Sequence, residues 1–114
     1  MRPDQEWLQD IQHNADLVIR FVSSTNQDEF LKDEMRSLAT AKAIENIGEA
    51  VKQISPELKA QYPNVDWVGP ARMRDRTAHG YWSINYSIVW HTATQEIPIL
   101  REQITQILAQ EFSS

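Results

Sequence analysis

The 114-residue chain has no cysteine. A disulfide framework and a thiolate site are therefore excluded, and a reducing compartment such as the cytoplasm suits the composition. No apolar stretch approaches the ~18 residues needed to span a bilayer. The N-terminal Met-Arg-Pro-Asp-Gln-Glu-Trp also lacks the apolar run of a signal peptide. A cytoplasmic protein with no membrane partner is expected. Histidine and glycine are scarce, at three each. Neither His-x-His nor His-Glu-x-x-His spacing occurs, and there is no carboxylate-rich cluster, so no metal site and no cofactor are expected. A Gly-rich phosphate loop and a Gly-x-Ser-x-Gly elbow are likewise missing. Positive charge is short too: the net charge of −5 argues against binding nucleic acid over the whole surface. It leaves room for a local basic strip. No period-two pattern of a strand is present.

What the chain does have is helical periodicity. Trp7, Leu8, Ile11, Ala15, Val18, Ile19 and Val22 recur at spacings of three and four, predicting a helix over 4–22. Asp4 is positioned to cap it behind Pro3, and Ser23 to Asn26 form a polar break. A second helix is predicted from 26 or 27 to Ile54, carrying Phe30, Leu31, Leu38, Ala41, Ile44, Ile47 and Val51. At 1.5 Å per residue it would span roughly 40 Å and act as a central strut. Gly48 within it costs about 1 kcal/mol against alanine, which close approach of another helix would explain. Ser55 and Pro56 read as N-cap and first residue of a short helix. That helix ends near Tyr62 because Pro63 disfavours helix in the residue before it.

Asp66 is placed to cap a further helix from Trp67, with Pro70 in its first turn. Its end is expected near His79, with Gly80 as left-handed terminator. The last helix is predicted over 85–111, through Ile88, Val89, Ala93, Ile97, Leu100, Ile104, Ile107 and Leu108, with a kink at Pro98. His13 lies off the apolar stripe and reads as solvated surface; His91 is given no role. Tryptophans at 7, 67, 82 and 90 suit a core or a subunit interface. The expected fold is all-α, an up-and-down bundle of four to five helices forming one domain over 1–114.

The chemistry concentrates in Arg72-Met-Arg-Asp-Arg-Thr-Ala-His-Gly-Tyr-Trp82. Three arginines, a histidine and a tyrosine stand together in an otherwise acidic chain. Those residue types grip a phosphate and move a proton near neutral pH, although alternating arginines also describe a solvated helix face. At 100° per residue, Trp67, Ala71, Arg74 and Ala78 share one stripe, while Arg72, Arg76 and His79 share another. Arg74 thus faces the apolar side, where a guanidinium needs an acceptor. Glu45 and Glu49, four apart on the second helix, are the candidates; otherwise they are ordinary surface acids. Arg74 and His79 point roughly 140° apart in a straight helix. Either the helix unwinds near Gly80, or a second subunit completes the site. An Arg–His site fits cleavage of RNA through its own 2′-hydroxyl, since the substrate then brings the nucleophile. Histidine contributes about 10²- to 10⁴-fold as a proton shuttle, and an arginine fork holds two phosphate oxygens at once.

Arg74-Asp75-Arg76-Thr77-Ala78-His79-Gly80-Tyr81 resembles the Arg-x4-His-x-Tyr motif of the HepT-like toxins, type VII toxin–antitoxin ribonucleases of the helical HEPN superfamily. Asp75 stands where asparagine is common. The resemblance covers most of the chain, including Ala43 to Ala50, Trp67, and Ile84 to Leu100 with Val89-Trp90 and Ile97-Pro98. It implies a homodimer whose two motifs line one cleft and a metal-independent ribonuclease. Arg74 would hold or orient the scissile phosphate, and His79 would be the acid or base. Arg72, Asp75, Arg76 and Glu49 would bind RNA or support the site. Tyr81 matches the tyrosine that a partner antitoxin, a minimal nucleotidyltransferase, modifies with AMP. The added phosphate charge and bulk would repel or block RNA. The competing readings are a packed aromatic for Tyr81 and a structural ion pair for Arg74. For the whole chain they are a non-catalytic dimeric binding partner of a nucleotidyltransferase, or a plain helical dimerisation protein.

Overall fold

The structure, a computed structural model, describes residues 2–70 and 84–112. It is the expected all-α bundle, and among the described residues there is no strand. The elements are α1 (Asp4–Ser23), α2 (Gln27–Lys32), α3 (Glu34–Gln53), α4 (Pro56–Gln61) and α5 (Tyr86–His91). A π-helical segment (Thr92–Glu96) then leads into α6 (Ile97–Phe112).

The central element is α1, not the second helix. It packs against α3 on one side and against the π segment and α6 on the other. Leu8, Ile11, Ala15, Val18 and Val22 are the buried face, at the spacings of three and four read from the sequence. Across from them α3 presents Ala41, Ile44, Ile47, Gly48 and Val51, and α6 presents Ile97, Leu100, Ile104 and Ile107. Polar contacts set the registers at the rim. Gln12 donates to Thr105 Oγ1 at 2.9 Å, Arg101 Nε meets Asp16 at 2.9 Å, and Asn46 donates to Asn14 at 3.2 Å.

The predicted 40 Å strut is two helices. The chain leaves helical geometry at Asp33, with φ −97° and ψ 90°. A new helix starts there because the Asp33 carboxylate accepts from the backbone N–H of Arg36 at 3.0 Å, satisfying one of the donors that a helix N-terminus leaves open. Arg36 returns the interaction through Nε at 3.2 Å and reaches the α1 C-terminus, donating to the Phe21 carbonyl at 2.7 Å. The break lets α2 turn away and lay Phe30 against Trp90 of α5, with ring centroids 5.1 Å apart and planes tilted by 50°. The remaining helix of 20 residues is about 30 Å long.

Two other expectations change. Asp4 does not cap α1, whose N-cap is Pro3. Its carboxylate instead accepts from the Ser55 N–H at 3.0 Å and the Ser55 hydroxyl at 2.6 Å, tying the start of α1 to the start of α4. Ser55 does cap α4, accepting from Leu58 N–H at 3.2 Å. At the C-terminal end, Asn85 caps α5, and the last helix, expected as one element over 85–111 with a kink at Pro98, is interrupted by the π segment just before that proline. Proline supplies no N–H and its ring crowds the carbonyl four residues back. The wider π turns occupy that stretch.

Candidate active site

Arg72, Arg74, Asp75, Arg76, His79 and Tyr81 lie outside the described residues, as do the predicted helix end at His79 and its terminator Gly80. The described structure shows how the two flanks of this stretch are held. On the upstream side, Trp67 Nε1 donates to the Tyr62 carbonyl at 3.0 Å. The Asp66 carboxylate accepts from the N–H groups of Val68 at 3.1 Å and Gly69 at 2.9 Å. This is the capping role read for Asp66, although helical geometry is assigned at Gly69 and Pro70 rather than at Trp67. A Cβ at 69 would sit 2.5 Å from Asp66 Oδ2, so any other residue there would make the capping carboxylate shift. Pro70 is buried. On the downstream side, Ile84 is half-buried against the core and Asn85 accepts from the N–H groups of Ser87 and Ile88.

Glu49 and Glu45, the acids considered as acceptors for Arg74, both stand half-buried on α3. Glu45 keeps a side chain 20% exposed, 3.7 Å from Lys42. Glu49 accepts from Gln53 Nε2 at 3.3 Å. His13 and His91 are both exposed, as their positions off the apolar stripe predicted for the first of them. Among the described residues no group of three or more His, Cys, Asp or Glu side chains is placed to hold a metal ion, and no helix is long and apolar enough to cross a membrane.

Features that periodicity did not disclose lie beside α6. A cavity of about 130 Å³ is lined by Asp66, Pro70, Thr92, Glu96, Ile97 and Leu100, among others. It brings two acids from distant parts of the chain next to the upstream flank. The Tyr62 hydroxyl donates to Glu111 at 2.8 Å and also lies 3.0 Å from Gln110 Oε1. The bond to Glu111, and that carboxylate's charge, hold the Tyr62 phenol above its ordinary pKa. No sequence spacing links residues 62 and 111; only the fold does.

Charge is unevenly divided along the chain. Outside 71–83 there are fifteen Asp and Glu against eight Lys and Arg, whereas 71–83 holds three arginines and one aspartate. In sequence, the excess of positive charge is thus concentrated in that stretch, while the rest of the chain is net acidic.

Comparison with known proteins agrees with this picture. The family model described as "Ribonuclease HepT-like" matches residues 11–107. A "Putative RNase" of Caldanaerobacter subterraneus subsp. tengcongensis is 34% identical over 97% of this chain and 99% of its own length. A "Putative RNase" of Methanocaldococcus jannaschii is 38% identical over 90% of this chain and 84% of its own length. A "Probable ribonuclease HepT" of Thermococcus cleftensis is 31% identical over 93% of this chain and 96% of its own length. No solved structure matches. With a family match across the helical core and the basic strip alike, the chain belongs to the HepT-like ribonuclease family.

Proposed function

We propose that this protein is the toxin of a toxin–antitoxin pair: a cytoplasmic homodimer that cleaves RNA without a metal and is neutralised by a nucleotidyltransferase that attaches AMP to Tyr81. The observation that carries the reading is the family match over 11–107, which spans the Arg74-to-Tyr81 motif. In the proposed reaction the RNA 2′-oxygen loses its proton and bonds to phosphorus. The bond from phosphorus to the 5′-oxygen breaks, and that oxygen takes up a proton. The products are a 2′,3′-cyclic phosphate and a 5′-hydroxyl. His79 carries one of the two proton transfers. Arg74 binds the phosphate oxygens, on which negative charge grows in the transition state. Arg72 and Arg76 draw the RNA backbone along the strip, with Asp75 and Glu49 supporting the arginines. Pairing two subunits removes the difficulty that Arg74 and His79 point apart in a regular helix.

The test is RNA cleavage in excess chelator by the wild type, His79→Ala and Arg74→Ala. The expected result is product from the wild type and a fall of about 10²-fold or more for His79→Ala. Equal cleavage by wild type and His79→Ala removes the catalytic assignment. The acidic body favours one second reading, a dimeric partner of a nucleotidyltransferase that cuts nothing. That reading predicts a stable complex and intact RNA in the same experiment.

A further inference from the structure

Two hollows on the α6 surface meet at Gln103, which lines both. The first is the 130 Å³ cavity, with an apolar floor of Pro70, Ile97 and Leu100 and the acids Asp66 and Glu96 at its edge. Ile99, 62% exposed, lines it as well. Val68, 52% exposed, is two residues beyond Asp66 in the chain. The second hollow, about 220 Å³, lies between α6 and the turn after α4, and is lined by Asn64, Gln106, Gln110 and Tyr62. Among the described residues no lysine or arginine lines either hollow. Glu111, bonded to Tyr62, adds a third acid.

Each part selects its occupant. Among the described residues a phosphate backbone meets carboxylates and no cation, which disfavours RNA here. An aliphatic side chain gains by filling the apolar floor and covering Ile99. The amides offer both donors and acceptors, which suits a peptide main chain. A lysine or arginine beside the anchor finds Asp66 and Glu96. A second copy of this chain brings an acidic body to an acidic rim. We propose that this groove docks an extended segment of a protein partner, with an aliphatic anchor flanked by lysine or arginine. The proposal rests on the pairing with a nucleotidyltransferase and assigns the surface through which that partner grips the chain.

The experiment measures the affinity of the nucleotidyltransferase encoded beside this gene for the wild type, Ile99→Asp and Glu96→Lys. Circular dichroism confirms the fold, and light scattering gives the subunit number. The expected result is a Kd raised at least 10-fold by each variant and raised by salt for the wild type, with RNA cleavage and subunit number unchanged. Unchanged affinity in both variants overturns the docking surface alone. A variant that falls apart into monomers makes the groove a contact between copies and overturns it too. So does slower RNA cleavage with partner binding intact. A wild type that cleaves RNA yet binds no nucleotidyltransferase refutes the pairing and the groove together, while leaving the ribonuclease reading in place.

Discussion

Replacing Phe30 tests how the short helix α2 is held. Six residues are too few for a helix to stand alone in water, so α2 depends on what it buries. Phe30 is its one buried residue, fully enclosed, and its ring packs on Trp90. Truncating a buried phenylalanine to alanine costs about 3–5 kcal/mol. The aromatic pair contributes about 0.5–1.5 kcal/mol beyond its buried area. For a domain near this size each 1 kcal/mol moves Tm by about 4–8 °C, so Phe30→Ala should lower Tm by at least about 12 °C. Phe30→Leu keeps most of the volume and should cost about 1–2 kcal/mol, leaving a folded protein for comparison. A double-mutant cycle in urea, using Phe30→Leu and Trp90→Leu, should return a coupling of about 0.5–1.5 kcal/mol. Additivity within about 0.3 kcal/mol, or a Tm for Phe30→Ala within a few degrees of wild type, would refute the view that this contact anchors α2 to α5.

Other perturbations follow from the same geometry. Asp4→Ala removes a part-buried acceptor from two Ser55 donors and should cost about 1–3 kcal/mol in urea denaturation; Ser55→Ala in that background should cost much less than it does alone. The backbone N–H of Arg36, and then its side chain, hold the Asp33 carboxyl below its ordinary pKa. The folded state therefore takes up that proton less readily than the unfolded chain. The associated stability is present above the unfolded pKa and is lost as pH falls through the folded one. Asp33→Asn should flatten the acid limb of a Tm-against-pH curve, and an unchanged limb would count against the cap. Pro98→Ala should change stability by less than about 1 kcal/mol, because the π segment already accommodates the ring; a gain near the ~3 kcal/mol of a strained helix-interior proline would show that it does not.

Periodicity disclosed what periodicity can carry. The buried face of α1 was readable from 8, 11, 15, 18 and 22, and the caps at Ser55 and Asp66 from residue type and position. The break at Asp33 was not, because Phe30, Leu38 and Ala41 keep helical spacing on both sides of it. An aspartate inside a helical pattern signals a cap only when its side chain turns back onto the following N–H groups, and sequence does not show that choice. For the same reason Asp4 was assigned to its own helix, when its partner lies 51 residues away. The centrality of α1 was hidden too, since a wheel shows which face is buried but not how many neighbours bury it. At the candidate site, the family was legible from the motif and its flanks, and the family match spans them, while Arg72 to Tyr81 lie outside the described residues. The cavity beside α6 was not legible, because Asp66 and Glu96 meet only through tertiary packing.

The place of α1 between α3 and α6 has a consequence for synthesis. Synthesis reaches α1 well before α6, which closes it on one side: Gln12 waits for Thr105 and Asp16 for Arg101, partners 93 and 85 residues downstream. Until α6 emerges, the face of α1 that it covers stays in water, and the bundle lacks one of its walls. Translation at about 5–20 residues per second makes that an interval of seconds. Premature termination within α6 leaves the same exposed face permanently. A chain that has not yet made α6, or lacks it, is thus a target for chaperones and proteases.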